Sequence, residues 1–391
     1  MIDDIVEYWL KTGKNALIGN TSLKPVEHHI MEGKPLSVQK GQSIVYYLLA
    51  DNGEWWLLKK FLNNQSLDKN YLSKIKGLLP PKEGFVCGTK REILANGALD
   101  NTPGFHYSRE LDSWLDGTIL MPRIAGCDWS SLTDDLRSGS LTLDIKQRLA
   151  LCLKLTELIG LLEANQCCHR DLSCGNVFID TNTWQVYLID FDSFYHPSLL
   201  MPKVTTCGTA GYICHLAWTG GQPDAGKTWC PYADRFALSI LNTEFLLVNP
   251  QIKAIGDGGI FDQRELMNQS GQTLDSILKV LNTTLPQATQ MLEAAIKSRS
   301  FTDCPSPKDW LDFYNTIPGF LVKPPSLADL PEISDDNFKN ILTKCRPAAP
   351  LWPVPRLDET SDFNLQLPIS KAVKRNVPII TLPPDPWQNK N

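Results

Sequence analysis

Two runs of β-branched and aromatic residues, Val177-Phe178-Ile179 and Val186-Tyr187-Leu188-Ile189, flank the polar stretch Asp180-Thr181-Asn182-Thr183. This span constrains the fold more tightly than any other. Such runs on either side of a turn-forming tetrad predict a hairpin. Asn176 stands immediately before the first strand and Asp190 immediately after the second. A hairpin returns the chain to its starting end, so the two polar side chains emerge together from one rigid element. Just upstream lies His169-Arg170-Asp171-Leu172-Ser173-Cys174-Gly175, which puts a further carboxylate, Asp171, five residues before Asn176 and nineteen before Asp190. A plain hairpin whose Asp and Asn residues only serve turns is the bland alternative. The order of other features along the chain argues against it.

Phosphoryl transfer needs three such groups. One carboxylate accepts the proton of the attacking hydroxyl, while an amide oxygen and a second carboxylate hold the magnesium ions that bridge the phosphates of ATP. The string resembles the catalytic loop and metal-binding motif of protein kinases, H-R-D-x-x-x-x-N followed by D-F-G. Six of those seven positions match, with Asp192 in place of the glycine. The resemblance implies an α+β, bilobal protein-kinase-like fold, with a β-rich N-lobe and a mainly helical C-lobe. It implies Asp171, Asn176 and Asp190 as catalytic residues, Asp171 as the base and Asn176 and Asp190 as ligands of Mg²⁺.

The organisation of the chain is consistent with that order. Ile5, Val6, Trp9 and Leu10 recur at helical spacing over residues 4 to 12. Ser43 to Leu49 and Trp55 to Phe61 read as strands around Asp51-Asn52-Gly53, a hairpin signal. Residues 66 to 79 read as a helix stopped by Pro80-Pro81, and Thr118 to Met121 as a buried strand. A long apolar periodicity from Leu143 to Asn165 predicts a core helix leading into His169, and 231–248 and 272–314 are again helical in pattern. Thirteen of the 27 prolines lie in residues 318 to 391, which suits an extended tail, either docked or a linker. The expected division is a helical extension over 1–30, an N-lobe over 31–122, a C-lobe over 123–317 and a Pro-rich tail over 318–391.

The resemblance also implies an ATP-binding set of Lys59, Val45, Met121, Pro122 and Ile124. Lys59 matches the strand lysine that pairs with the α- and β-phosphates, and Lys60 points to the opposite face. Val45 would cover the adenine. Met121-Pro122-Arg123-Ile124 resembles the hinge between lobes, where Pro122 supplies a carbonyl and Ile124 an N–H. The glycine positions of the phosphate loop fall on Val38, Lys40 and Ser43, with Gly41 nearby, so the loop lacks residues that let amides approach phosphate. In the family an acid on the next helix orients the lysine; residues 66–79 hold only Asp68, with Glu83 and Glu92 beyond, and no partner is assigned. Ser173 stands where serine/threonine kinases commonly carry Lys. Asp192 reads as a turn-capping residue, with a further metal contact as the alternative. Thr205 to Tyr212 resembles the G-T-x-x-Y end of an activation segment, and Thr205 or Thr206 is the expected regulatory phosphorylation site, pairing with Arg170. The A-P-E positions fall on Cys214-His215-Leu216. Asp234 matches the aspartate that braces the catalytic loop, and Arg299 resembles the family's late arginine, whose glutamate would sit at Leu216.

A net charge of −5 leaves no global basic footprint for nucleic acid. The apolar stretch Ile240 to Val248 is broken by Asn242, Thr243 and Glu244, so no membrane association is expected. The acidic N-terminus lacks a signal-peptide pattern, and eleven cysteines without a paired framework fit a reducing, cytoplasmic setting. Cys167-Cys168-His169 and Cys207, Cys214-His215 contain no C-x-x-C pair, which favours buried thiols over zinc. The sequence thus reads as a divergent bacterial serine/threonine protein kinase using ATP and Mg²⁺ on an unknown protein substrate. The strings HRDLSCGN and LIDFDSF are also similar to stress- or defence-associated bacterial kinases encoded beside phosphatases, which implies a cognate phosphatase or regulator as partner. Two rivals stand beside it: a pseudokinase scaffold, and a small-molecule kinase resembling aminoglycoside phosphotransferases, against which residues 205–212 argue.

Overall fold

The computed structural model describes residues 2–18, 21–40, 43–62, 68–95, 108–203, 205–255, 259–317 and 338–339. Helix α1 (Ile2–Thr12) buries Val6 and Trp9 on one side, as its apolar spacing predicts. Strands β1 (Ala16–Ile18), β2 (Thr21–Pro25), β3 (Ser37–Lys40), β4 (Ser43–Ala50) and β5 (Trp55–Phe61) follow. Next come α2 (Lys69–Leu78), α3 (Val86–Thr89), β6 (Glu92–Ile93), α4 (Ser108–Leu115) and β7 (Ile119–Pro122). Among the described residues these strands form a seven-stranded sheet in the order β1-β2-β4-β5-β7-β6, with β3 also beside β4. Helix α2 begins on Asp68, whose carboxylate caps the Tyr71 N–H at 2.9 Å.

The sheet extends further toward the N-terminus than the sequence indicated. Thr21–Pro25 pairs antiparallel with β4, Leu23 opposite Ala50 and Pro25 opposite Leu48. A division at residue 30 therefore cuts through one sheet. Strands of three and five residues carry too little period to stand out in a sequence. Helices α1 and α4 cover one face of this sheet, and Val6, Trp9, Leu111 and Leu115 join Leu23, Tyr46, Leu48, Leu58 and Leu120 in a single core.

The second half is mainly helical. A short β8 (Cys127–Asp128) leads to α5 (Trp129–Ser138) and the long α6 (Ile145–Ala164). Helix α6 starts on a capping box between Asp144 and Gln147. Then come the hairpin β9 (Val177–Asp180) and β10 (Gln185–Leu188), and the small ladder β11 (Trp218–Thr219) and β12 (Gln222–Pro223). Helices α7 (Asp234–Leu247), α8 (Gln263–Asn268), α9 (Gln272–Thr284), α10 (Pro286–Ile296) and α11 (Pro307–Asn315) complete it. Every residue of α7 is buried, so it forms the central post of this half. Tyr71, Leu72 and Ile75 of α2, with Leu79 just past its end, belong to the same core as α6 and α7. The architecture is α+β with two lobes, a β-rich N-lobe and a helical C-lobe.

The lobes are joined by residues 123–126. Gly126 closes that connection at φ +96, and a Cβ there would lie 2.0 Å from the Ile179 carbonyl oxygen, so only glycine fits. Of the Pro-rich stretch, Phe338 and Lys339 alone are described; the Phe338 ring meets Trp56 edge-on at 6.2 Å. Contacts divide the chain into Met1–Ala348 and Ala349–Asn391, and the second unit lies outside the described residues. No helix among the described residues is long and apolar enough to cross a membrane.

Candidate active site

The hairpin β9–β10 pairs Val177 with Leu188 and Asp180 with Gln185. Its ladder continues one step past the strands, where the Ile189 N–H donates to the Asn176 carbonyl at 3.0 Å. Asn176 and Asp190 thereby leave the same end of the hairpin. The Asn176 amide nitrogen donates to the Asp171 carbonyl at 2.7 Å, which ties the loop 171–176 into a closed turn.

A second clamp holds the loop from below. The buried Asp234 carboxylate, at the start of α7, accepts from the His169 N–H at 2.6 Å and from the Arg170 N–H at 2.9 Å. His169 is also buried; its Nε2 bonds the Ile189 carbonyl at 2.8 Å and its ring lies 4.9 Å from that of Phe191. Arg170 and Asp190 both sit in the left-handed region, at φ 68 and φ 63. That conformation is uncommon for residues with a Cβ, and surrounding contacts must impose it.

Asp171 Oδ1 accepts from the Thr209 hydroxyl at 2.9 Å. Burial pushes the Asp171 carboxyl up to about 6, against the opposing influence of His169 and of the Thr209 bond. Across the cleft, β5 and β4 pair in a register that sets Lys59 opposite Val45. Lys59 Nζ reaches Asp190 Oδ1 at 2.7 Å and Asp192 Oδ2 at 2.7 Å. Burial works against its charge, but the two aspartates outweigh burial and hold its ammonium above the ordinary lysine value. Burial likewise opposes the charge of Asp192, and Lys59 and Arg91 overcome it, so its carboxyl lies below the ordinary range. The edge of the cleft is β7, where Met121 pairs with Leu57 and Pro122 with Trp56. The Pro122 carbonyl lies 3.8 Å from Cys87 Sγ, and Ile124 is buried with Val86, Cys87 and Tyr187.

The segment from Thr205 to Tyr212 lies over Arg170. The Arg170 guanidinium, itself buried, donates through Nη1 to the Thr205 hydroxyl at 3.0 Å and to the Ser193 carbonyl at 2.9 Å. Nε serves the Thr228 carbonyl at 3.0 Å, and Nη2 serves the Ala225 carbonyl and the Thr228 hydroxyl at 3.1 and 2.9 Å. Thr206 Oγ1 accepts from the Gly208 N–H at 3.0 Å. At the far end of the segment, the Tyr212 hydroxyl bonds the fully buried Glu244, which also accepts from Trp129 Nε1 at 3.2 Å and the Ile260 N–H at 3.1 Å.

No protein-family model matches the chain. Among curated proteins, it is 24% identical over 186 residues to the liver/testis isoform of the phosphorylase b kinase gamma catalytic chain of Mus musculus. The Homo sapiens and Rattus norvegicus counterparts match at the same 24%. Each match covers 45% of this chain and 45% of the relative, so the chain spans about half the length of the curated relatives it matches. Over that stretch the chain is weakly similar to a protein kinase catalytic chain.

Set against kinase expectations, the structure brings Asp171, Asn176, Asp190 and Lys59 to one cleft, with Val45, Met121 and Pro122 on the facing sheet. One expectation changes, and two points the sequence left open are filled in. The Asp192 side chain does not cap a turn; it is bonded to Lys59 and to Arg91 Nη1, the latter at 2.9 Å. Arg299 is exposed and only its backbone N–H engages Asp303. With Leu216 in the glutamate position Arg299 has no acid to meet there; His215 Nε2 bonds the Ser298 carbonyl at 2.9 Å, and Arg235 pairs with Glu163. The acids considered for Lys59 are committed elsewhere or exposed: Asp68 caps α2, Glu83 accepts from the Tyr187 hydroxyl at 2.9 Å, and Glu92 is exposed. Sequence reasoning missed Arg91, which carries no local signal. Gly41 lies outside the described residues, as does Val204. The ten described cysteines are free thiols, and no group of three potential metal ligands from His, Cys, Asp and Glu occurs among the described residues.

Proposed function

We propose that this chain transfers the γ-phosphoryl group of ATP to a serine or threonine hydroxyl of a protein. The observation that carries the reading is the hairpin closure that sets Asn176 beside Asp190 while Lys59 reaches Asp190 at 2.7 Å. Asn176 and Asp190 offer two hard oxygen donors, which suits Mg²⁺, an ion bound through one or two protein groups with the rest of its shell from phosphate and water. When bound, Mg²⁺ would supply positive charge that neutralises the phosphates. With its amide nitrogen on the Asp171 carbonyl, Asn176 has its amide oxygen for that role.

Asp171 accepts the proton of the substrate hydroxyl. The new bond joins that oxygen to the γ-phosphorus, the bond from the γ-phosphorus to the β–γ bridging oxygen breaks, and ADP leaves with that electron pair. The Thr209 hydroxyl holds the Asp171 carboxylate in one orientation. Lys59 supplies positive charge for the phosphates, and Val45, Met121 and Pro122 form a wall for the adenine. Catalysis rests on positioning and electrostatics. The substitution of Ser173 for the usual lysine removes one cation near the γ-phosphate.

The test is incubation of purified protein with labelled ATP and Mg²⁺, with and without a generic protein substrate. Label transfer to serine or threonine supports the reading. Tight nucleotide binding without transfer would replace it with the scaffold reading, and transfer only to small molecules would replace it with the small-molecule one.

A further inference from the structure

We infer that Asp192 and Arg91 together take the place of a helix-borne acid as the device that positions Lys59, with Arg91 acting through Asp192. The inference rests on the phosphotransfer reading above and identifies further positioning residues for that site.

The two oxygens of Asp192 face two different cations. Oδ2 holds Lys59 Nζ at 2.7 Å, and Oδ1 holds Arg91 Nη1 at 2.9 Å. Arg91 lies between α3 and β6 with a side chain only 4% exposed. Its other terminal nitrogen reaches the Leu72 carbonyl of α2 at 3.4 Å, while its Nε has no hydrogen-bond partner. A buried guanidinium with an unpaired donor is costly, and a well-packed apolar residue is often the more stable occupant of such a site. Its presence is explained if the charge serves the site.

Charge balance gives the reason. Lys59 and Arg91 carry two positive charges, and Asp190 and Asp192 carry two negative ones. If Asp190 turns to a metal ion, Lys59 keeps a partner only through Asp192. Asp192 in turn stays in place because Arg91 holds its second oxygen. Without Arg91, Asp192 keeps Lys59 as a partner but loses the anchor on its Oδ1, so nothing fixes the direction in which it holds the ammonium. The chain Leu72–Arg91–Asp192–Lys59 also couples α2 to the cleft, although no acid of α2 takes part.

The backbone is shaped to allow this. Gly88 of α3 packs against Phe191, the residue between the two aspartates, and a Cβ there would lie 2.8 Å from the Phe191 ring and 2.3 Å from Leu79. That approach brings the Arg91 segment alongside Asp192. It also accounts for Asp192 where kinases carry glycine, since an acid at that position occupies the gap left by the missing helix acid.

The experiment compares Arg91→Met, Arg91→Lys, Asp192→Asn and the Arg91→Met/Asp192→Asn double variant with wild type. It reads kcat and KM for ATP, affinity for Mg·ATP by fluorescent-nucleotide displacement, and thermal midpoint. Arg91→Met and Asp192→Asn are expected to lower kcat by about 10- to 100-fold, the scale of a misplaced catalytic group. Arg91→Lys should recover most of that loss, and the double variant should be no worse than Asp192→Asn alone. Unchanged kcat and KM in Arg91→Met, or losses that multiply in the double variant, would overturn the inference. Losses that follow the thermal midpoint and not charge would overturn it too, and Arg91→Lys separates these if Arg91→Met folds poorly. If wild type binds Mg·ATP but transfers no phosphoryl group, the transferase reading fails and the binding arm decides this one: weaker binding in Arg91→Met supports it, equal binding overturns it. Absence of nucleotide binding in wild type overturns both.

Discussion

The N–H of Ile189 donates to the carbonyl of Asn176 at 3.0 Å, one step beyond the paired strands Val177–Asp180 and Gln185–Leu188. This bond sets the separation of the two proposed metal ligands, because Asp190 is the next residue along. Asp190→Asn should therefore weaken binding of Mg·ATP while leaving the hairpin paired. Calorimetric titration with a non-hydrolysable ATP analogue, with and without Mg²⁺, checks it. A variant that binds as wild type in the presence of Mg²⁺ would remove Asp190 from the metal site.

Lys59 and Lys60 are adjacent but face opposite sides of the sheet, and they should fail differently. Lys59→Met should depress turnover strongly and also lower the melting temperature, because Asp190 and Asp192 lose the buried cation they share. Lys60 is buried on the other face, where its ammonium donates to the Trp114 and Asp116 carbonyls at the end of α4 and lies 5.1 Å over the Trp114 ring. Lys60→Met should leave ATP affinity intact and cost roughly 1–3 kcal/mol of stability through unpaired carbonyls. Side-by-side turnover and denaturation curves separate the two effects.

Phosphorylation at Thr205 has less to offer than the sequence suggested. Thr205 does sit at 3.0 Å from Arg170, but the guanidinium already serves Ser193, Ala225 and Thr228. A phosphate arriving there would displace existing partners. Unphosphorylated protein should be active, and the Thr205→Ala/Thr206→Ala variant should keep most of its turnover, with a stability loss of roughly 1–3 kcal/mol, the larger part from the Thr205 bond to the charged Arg170. Intact-mass measurement before and after incubation with Mg·ATP, paired with rates, decides it.

Stability should fall as pH rises from about 4.5 to about 7. Burial pushes the Glu244 carboxyl up to about 7, against three donors that favour its charged form. The folded chain therefore keeps this proton where the unfolded chain has released it. Its contribution is complete below the ordinary value of 4.5 and is lost as pH rises through about 7. At 1.36 kcal/mol per pH unit the effect is roughly 3 kcal/mol. Glu157, also pushed up to about 7 by burial, adds a second contribution of the same sign. Glu244→Gln should flatten the pH dependence of the urea midpoint over this interval; an unchanged slope would place the titration elsewhere.

Where local pattern decides structure, the sequence was a good guide. The hairpin after Asn176, the long helix before His169 and the strand bearing Lys59 all follow from periodicity and turn residues within short windows. Asp234 could be matched to its bracing position from the order of motifs alone. The partner of Lys59 could not, because it depends on residues 133 and 101 positions apart in the pairs Lys59–Asp192 and Arg91–Asp192. Nothing near Arg91 marks it. The exposure of Arg299 follows from the sequence, since Leu216 replaces its acid, but the His215–Ser298 contact beside it has no local signal.

The most direct test of the central claim is phosphoryl transfer by Asp171→Asn beside wild type, read with labelled ATP and Mg²⁺ on one protein substrate, with nucleotide affinity measured on the same samples. Asn keeps an oxygen to accept the Thr209 hydroxyl but cannot take up the substrate proton. The expected result is loss of transfer with Mg·ATP affinity unchanged. Transfer at the wild-type rate would contradict the assignment of Asp171 as the base.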